Sequence, residues 1–438
     1  MRYFIRQTFL FYLAFGFLLS QVRVGEMESI TSSLNVRSVI TSGDTIILAT
    51  QGGLGVYHLN SGNYTVYTKD QGLVDTDLIT IHKGPKGFIW IGSDLGVQVW
   101  SLIDEKRLDW FQLDIEAVSG FVTYKDMVYG AVKQNGVWGI MEFIHSNGKT
   151  YYRDFYGRDD IGYIDDIVKF GDDIILLTDL GLIGGNPHET HPIFWEKRFN
   201  KDELPIIAMA EKDNELTLVT PEAIYSIQLG QNPITLVTNQ SEFSTIRSIA
   251  VRGLLDYMAV TDSAIYRIGT DMFEKQFSDA GFHFSDITIS NSSSVIGTNL
   301  GFAQFDGSTL SHIVGNEPII AAPQVISITP DNKLIMANER GISLSGWANL
   351  SIRAYSVGFS TQLNLEQSPI NLGNRVSRMI LGKDGNVYMG LIHSTSAGIV
   401  ALDVSNGIKV HKLYFPKTQL TEDEVFIVSG IALDGKDN

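Results

Sequence analysis

The sequence predicts an all-β fold, a β-propeller of four-stranded antiparallel blades. Three observations predict it. One apolar phrase returns about every forty residues, the length of a single propeller blade. Turn-forming residues cut each return into four strand-length pieces. Helical periodicity is absent after the first twenty residues, which favours a propeller over a stack of helical repeats and leaves a stacked β-solenoid as the main structural rival.

The phrase is an apolar strand, a small or hydroxyl residue, two or three turn residues, then Gly or Ala opening another apolar strand. Ile46-Ile47-Leu48-Ala49-Thr50 leads to Gly53, and Ile89-Trp90-Ile91-Gly92-Ser93 leads to Gly96. Ile175-Leu176-Leu177-Thr178 leads to Gly181, Val295-Ile296-Gly297-Thr298 to Gly301, and Leu334-Ile335-Met336-Ala337-Asn338 to Gly341. Weaker copies end on Ala223 and Ala264, and a looser one on Gly136. The anchors 53, 96, 136, 181, 223, 264, 301 and 341 are spaced by 43, 40, 45, 42, 41, 37 and 40 residues. A ninth copy follows at Gly398, after a gap of 57. The six glycines Gly53, Gly96, Gly136, Gly181, Gly301 and Gly341 are expected at one structural turn in successive blades.

In the first unit the four pieces are Val36–Ile40, Thr45–Thr50, Leu54–Leu59 and Tyr64–Thr68. The second piece is apolar at consecutive positions, which fits a strand covered on both faces by neighbouring blades. Counting units gives a first propeller of seven or eight blades over residues 33–355, a linker over 356–375, and the start of a second propeller over 376–438. The last unit stops at Leu433-Asp434-Gly435-Lys436-Asp437-Asn438, whereas the similar Leu381-Gly382-Lys383-Asp384-Gly385-Asn386 runs into the strand Val387-Tyr388-Met389. On that reading the second propeller is truncated and the chain is a fragment.

Residues 1–25 read as a secretory signal. Arg2 and Arg6 supply a basic start, and Phe9 to Leu19 is an uninterrupted apolar run. Eleven helical residues reach roughly 16 Å, short of the ~30 Å hydrocarbon core, so the segment is expected to be cleaved on export. No later stretch is apolar and long enough to span a membrane as a helix. The formal charge of −16 disfavours nucleic acid as a partner. The absence of cysteine excludes disulfides, thiol chemistry and Cys-ligated zinc.

The run Tyr67-Thr68-Lys69-Asp70-Gln71-Gly72-Leu73, then Ile79, then Phe88-Ile89-Trp90-Ile91-Gly92-Ser93, resembles the two-component-regulator propeller repeat. In that family an outer strand ends in a "YT…DGL" turn and a later strand reads "LWIGT"; here Gln71 is inserted into the turn. The match covers roughly residues 36–110, and blades three to six lack the Trp. Family members form periplasmic sensor regions of hybrid histidine kinases, and also PorZ-type proteins of type IX secretion, which carry two tandem propellers. The resemblance implies an exported protein, in the periplasm or at the outer-membrane surface of a Gram-negative bacterium, with protein or cell-surface glycan partners.

Local candidates for chemistry are few. His188-Glu189-Thr190-His191 lacks the H-E-x-x-H spacing that puts two imidazoles on one helix face, and Pro187 and Pro192 oppose a helix. It reads as a solvated loop. The acidic groups Asp159-Asp160, Asp165-Asp166 and Asp172-Asp173 read as turn and surface residues. Ala401 to Gly407 reads as an Asn-Gly hairpin, although it slightly resembles a quinoprotein propeller turn. Trp90, Trp100, Trp110, Trp138, Trp195 and Trp347 are expected mainly between blades. No catalytic, cofactor-binding or metal-binding residue is assigned, no cofactor is expected, and the ligand-binding residues stay open. The function expected is a non-catalytic extracytoplasmic binding scaffold resembling a PorZ-type component. Alternatives are a histidine-kinase sensor region and a glycan-acting propeller enzyme.

Overall fold

The computed structural model describes residues 31–438, apart from 147–148, 201, 203, 280–281, 291–292, 314–324, 329–332, 339–340, 347–351, 356–361, 365–368, 372–374, 395–397, 404–408, 415–425, 429–430 and 433–438. The signal-peptide reading of residues 1–25, the hairpin tip at 404–408, Trp347 and the terminal turn at 433–438 lie outside the described residues.

Strands dominate, and the helical elements among the described residues are single 3-10 turns. Among the described residues nine sheets each contain four consecutive antiparallel strands joined in chain order. In sheet 1 these are Val36–Ser42, Thr45–Thr50, Gly53–His58 and Tyr64–Tyr67. The inner strands of the next six sheets are Leu78–Lys83, Ile115–Tyr124, Ile164–Phe170, Ala208–Lys212, Ser248–Gly253 and Phe284–Ser290. Each packs on the inner strand of the sheet before it, and the strand of sheet 7 packs on that of sheet 1.

The second strands are buried throughout in sheets 1 and 2, at Thr45–Thr50 and Ile89–Ser93, which is why they read as continuous apolar runs. Their side chains fill the spaces between sheets. Ile47, Leu54 and Tyr67 of sheet 1 meet Leu78, Ile81 and Trp100 of sheet 2 in one cluster. Trp90 of sheet 2 meets Phe121 and Phe143 of sheet 3 at ring distances of 6.2 and 5.1 Å. Between sheets 7 and 1 the cluster is Val295 and Phe302 with Val36, Val39, Ile46 and Leu48. Hydrogen bonds cross this seam as well: Ser285 Oγ to the Val36 carbonyl at 2.6 Å, and the Gly301 amide to the Leu34 carbonyl at 2.6 Å.

The hydroxyl residue of the repeat has a definite task. Thr50, Thr178 and Thr298 end their second strands and Thr220 directly follows its own, and each Oγ1 donates to the carbonyl of the anchor residue three positions on, at 2.7–2.9 Å. Each also accepts a backbone N–H from its turn, at 3.0–3.1 Å. Ser93 and Thr261 make longer versions, 3.5 and 3.4 Å to the anchor carbonyl. The side chain thus closes the hairpin locally.

The "YT…DGL" segment is equally built. The Gln71 side chain accepts from the Thr68 amide at 2.7 Å and its hydroxyl at 2.9 Å, completing a capping box around a 3-10 turn over Lys69–Gln71. Gly72 ends it at φ 104°, and Leu73 is buried in the cluster between sheets 1 and 2. The residue that departs from the family phrase is the one that fastens the turn.

Sheet 8 comprises Val325–Ile328, Lys333–Asn338, Gly341–Gly346 and Ile352–Tyr355, and sheet 9 comprises Arg375–Leu381, Val387–Ser394, Ile399–Asp403 and Lys409–Tyr414. Their inner strands pack on each other. A hairpin of Gln362–Asn364 and Pro369–Asn371 lies between them in sequence. Phe426–Ile427 pairs with Val387–Ser394 of sheet 9.

Candidate functional site

Inner-strand residues of sheets 4 to 7 line a polar cavity. In sheets 1, 2, 3, 4 and 7 the pairing of the inner strand slips at one equivalent place, just before Ser38, Thr80, Gly120, Asp166 and Asp286. A bulge re-aims the side chain that follows it. Pairing with the second strand puts Ala208 and Ser248 at the same level in sheets 5 and 6. A cavity of about 360 Å³ opens against the inner strands of sheets 5 to 7, with Asp166, Glu211, Lys212, Ser248 and Asp286 in its wall.

The two aspartates at this level have unlike surroundings. Asp286 is held from both sides: its Oδ2 accepts the Val39 amide of sheet 1 at 2.8 Å, and its Oδ1 accepts the Ser248 hydroxyl of sheet 6 at 2.8 Å and the Ile287 amide at 2.9 Å. It ties three sheets together at the seam. Asp166 accepts the Ile167 amide at 2.7 Å, but its neighbours at the same level, Gly120 and Ala208, have no side-chain donor. Burial pushes the Asp166 carboxyl up to about 7, and the charges of Asp286 and Asp165 add to the rise against the Ile167 hydrogen bond. Burial raises Asp286 and Glu211 too. His82, in the inner strand of sheet 2, is pushed down to about 4 by burial and shares a 2.8 Å hydrogen bond with Thr123. It is neutral near pH 7 and sits outside the cavity wall.

The acidic pairs therefore divide. Asp166 belongs to an inner strand and faces the cavity, which corrects its reading as a turn or surface residue; the bulge turns it inward. Asp165 is exposed. Asp160 pairs with Arg158 at 2.7 Å and Asp173 with Arg198 at 2.8 Å, both at the surface. Asp286, Glu211 and the buried Glu215 escaped the sequence reading. One signal was present: Asp166-Ile167 and Asp286-Ile287 occupy the same point of the repeat.

Among the predicted turn glycines, Gly53, Gly96, Gly181 and Gly301 each open a third strand opposite the hydroxyl residue, at φ 140°, 115°, 106° and 99°. Gly341 pairs with Asn338 at the corresponding place. A Cβ on Gly53 would run into the Tyr67 carbonyl oxygen, so close approach of the outer strand requires glycine as much as φ does. Sheet 3 has a longer hairpin. Gly136 sits at its tip at φ 81°, with open space around it. Gly139 pairs near the outer strand there, and a Cβ on it would meet the Tyr156 carbonyl oxygen.

His188 and His191 lie in an Asx-closed turn, with the His188 amide donating to Asn186 Oδ1 at 2.9 Å. The rings pack on aromatic partners, His188 on Tyr124 at 5.2 Å and His191 on Tyr156 at 4.5 Å. Residues 188–191 are exposed, and the two histidine rings rest on aromatic residues of sheet 3. Tyr156 in turn donates to the buried Glu142 carboxylate at 2.6 Å, which also pairs with Arg153 at 2.7 Å. Among the described residues no three His, Asp or Glu side chains group as metal ligands. Trp90, Trp100 and Trp195 are buried, whereas Trp110 is exposed.

A scan against protein-family models finds no match, and a search of curated proteins finds none. Solved structures do match. The β-propeller domain of Cps50 (Swd1) from Myceliophteria thermophila aligns with TM-score 0.50 at 13% identity, over 65% of this chain and 99% of that one. The extracellular domain of the hybrid two-component system BT4673 from B. thetaiotaomicron aligns with TM-score 0.47 at 13% identity, over 86% of this chain and 51% of that one. A second structure, described as the extracellular domain of the one-component system BT4673, gives TM-score 0.46 at 15% identity and the same 86% of this chain. The chain spans about half the length of those extracellular domains. No helix among the described residues is long and apolar enough to cross a membrane. The propeller match and the nine four-stranded sheets together establish the fold: the chain is an all-β protein of the β-propeller class.

Proposed function

We propose that this chain is an exported, non-catalytic binding scaffold whose first propeller is a ring of seven blades, sheets 1 to 7. The observation that carries the reading is the seam, where Asp286 and the Val295–Phe302 cluster join sheet 7 to sheet 1 around a polar cavity. Rigid inner strands then hold polar side chains at fixed positions, and the surrounding turns offer a broad docking face. Sheets 8 and 9 begin a second group of blades. Within that reading the Tyr67–Leu73 and Phe88–Ser93 phrases, which resemble a repeat found in PorZ-type components, are compatible with a role in type IX secretion, with proteins or surface glycans as partners. The same phrases support a second reading, the sensor region of a two-component system. Deleting the gene in its own organism separates the two. Retention of surface-directed cargo inside the cell supports the secretion scaffold. Normal cargo delivery with loss of a transcriptional response supports the sensor, and a strain unchanged in both refutes the proposal.

A further inference from the structure

The central hairpin of sheet 3, strands Met127–Gln134 and Val137–Ser146, carries an Asn-Gly pair at its tip. Gln134 and Val137 are the last paired residues, so Asn135 and Gly136 alone make the turn. Both take positive φ, 49° and 81°, as a type I′ turn demands, and Asn-Gly is a favoured pair for that geometry. The two residues are exposed, and a Cβ on Gly136 would meet only open space.

The same pair is chemically labile. The Gly136 backbone nitrogen can attack Asn135 Cγ, forming a C–N bond as the Cγ–Nδ2 bond breaks. The proton of that nitrogen ends on the departing ammonia. Water then opens the cyclic imide at either carbonyl. One opening leaves aspartate, and the other leaves isoaspartate, with the main chain routed through the side chain. Glycine has no side chain to stand over the attacking nitrogen.

In this hairpin the attacking atom is held. The Gly136 amide donates to Glu116 Oε1 at 2.7 Å, a bond from the tip back to the inner strand. Glu116 Oε2 lies 3.0 Å from Lys133 Nζ. Gln134 Nε2 donates to the Leu113 carbonyl at 2.5 Å and straps the base of the turn to the same strand. The Lys133 hydrogen bond, followed by that of the Gly136 amide, holds the Glu116 carboxyl below its usual range, so it stays ionised at neutral pH. A hydrogen bond to a carboxylate stabilises the N–H form, and the adjacent negative charge opposes loss of the proton. Ring closure proceeds through the deprotonated nitrogen, so this clasp slows it.

We propose that Asn135-Gly136 is a latent site of spontaneous deamidation, kept closed by the Glu116–Lys133 clasp on the Gly136 amide. Conversion to isoaspartate adds a backbone methylene to the turn and places a second carboxylate near Glu116. Both changes displace the Gly136 amide and loosen the hairpin tip. The chemistry needs water alone and is independent of the scaffold reading.

The test is peptide mapping by tandem mass spectrometry on the folded full chain, held in mildly alkaline buffer and sampled over several weeks. Trypsin releases the peptide from Gln134 to Lys149, which also contains Asn147-Gly148. Fragment ions distinguish the two sites, and Asn147 serves as the internal reference. Asn135 should convert slowly in the parent and about fivefold faster in Glu116→Ala. Glu116→Gln should fall between them, because Gln keeps an acceptor and loses the charge. The rate at Asn147 should be the same in all three. Glu116 is exposed, so the thermal midpoint should stay close to that of the parent. The parent chain unfolded in urea loses the clasp without any substitution, and Asn135 there should convert at least as fast as in Glu116→Ala. Equal rates at Asn135 in parent and Glu116→Ala overturn the proposal. So does a parent rate equal to that in urea, which keeps the test valid if a variant is unstable. A rise at Asn135 matched by an equal rise at Asn147 reports general loosening and overturns it as well.

Discussion

Replacing Asp166 by Asn should stabilise the protein, and only above about pH 4. In the folded chain burial raises this carboxyl from 3.8 to about 7. A carboxylate with a raised folded pKa favours the folded state while protonated in both states. That advantage is lost as pH rises from the unfolded value through the folded one. At about 1.4 kcal/mol per pH unit the interval corresponds to about 4 kcal/mol. Solvent entering the cavity screens part of this, and about 2 kcal/mol should be observable. Asn retains an oxygen for the Ile167 amide, so the local strand geometry survives. The assay is a urea or thermal unfolding midpoint for parent and variant from pH 3.5 to 8.5. The two should coincide at pH 3.5, diverge between pH 4 and 7, and run parallel above, with the variant higher. A variant less stable at pH 8, or offset equally at every pH, would refute the reasoning from burial.

Other substitutions probe the seam, the turns and the histidine loop. Asp286→Ala leaves the Val39 and Ile287 amides and the Ser248 hydroxyl without their acceptor, and should cost about 2–4 kcal/mol in chemical denaturation. Gly53→Ala forces a Cβ against the Tyr67 carbonyl at φ 140° and should cost more than about 1 kcal/mol, whereas Gly136→Ala, with open space at φ 81°, should cost less by the same assay. Thr178→Val keeps the shape but loses both hairpin bonds, an expected loss of about 1–2 kcal/mol in the melting curve. His188→Ala with His191→Ala should cost about 1 kcal/mol through the lost Tyr124 and Tyr156 contacts; an unchanged melting point would show a free loop.

The blade was legible because its periodic features have local causes. A hydroxyl that closes its own hairpin and a glycine pressed against the outer strand leave marks at fixed spacing, and Thr50–Gly53 and Thr178–Gly181 could be read directly. The Gly136 assignment shows the limit of spacing alone. The hairpin in sheet 3 is extended, so the glycine at its tip attracted notice while Gly139, deeper in the hairpin, met the outer strand. The cavity was not legible. Asp166 and Asp286 are 120 residues apart in sequence and meet only because a bulge re-aims each one. Glu215 carries no mark in the sequence, because its partner Tyr257 lies 42 positions on and in another sheet. Sequence patterns record what a residue does to its neighbours in the chain and the apolar cover that flanking sheets require, but not which polar side chains of distant strands are brought together.

The central claim is that sheet 7 meets sheet 1, and the absence of native cysteine allows a clean test. Thr41 Oγ1 lies 3.3 Å from the Ile289 carbonyl across that seam. A Thr41→Cys, Ile289→Cys chain treated with a short bismaleimide should yield a faster-migrating cross-linked monomer under denaturing electrophoresis. A Thr41→Cys, Ser327→Cys chain, which would report an eight-sheet ring through the inner strand of sheet 8, should not. Cross-linking of 41 to 327 and not to 289 would contradict the seven-bladed ring.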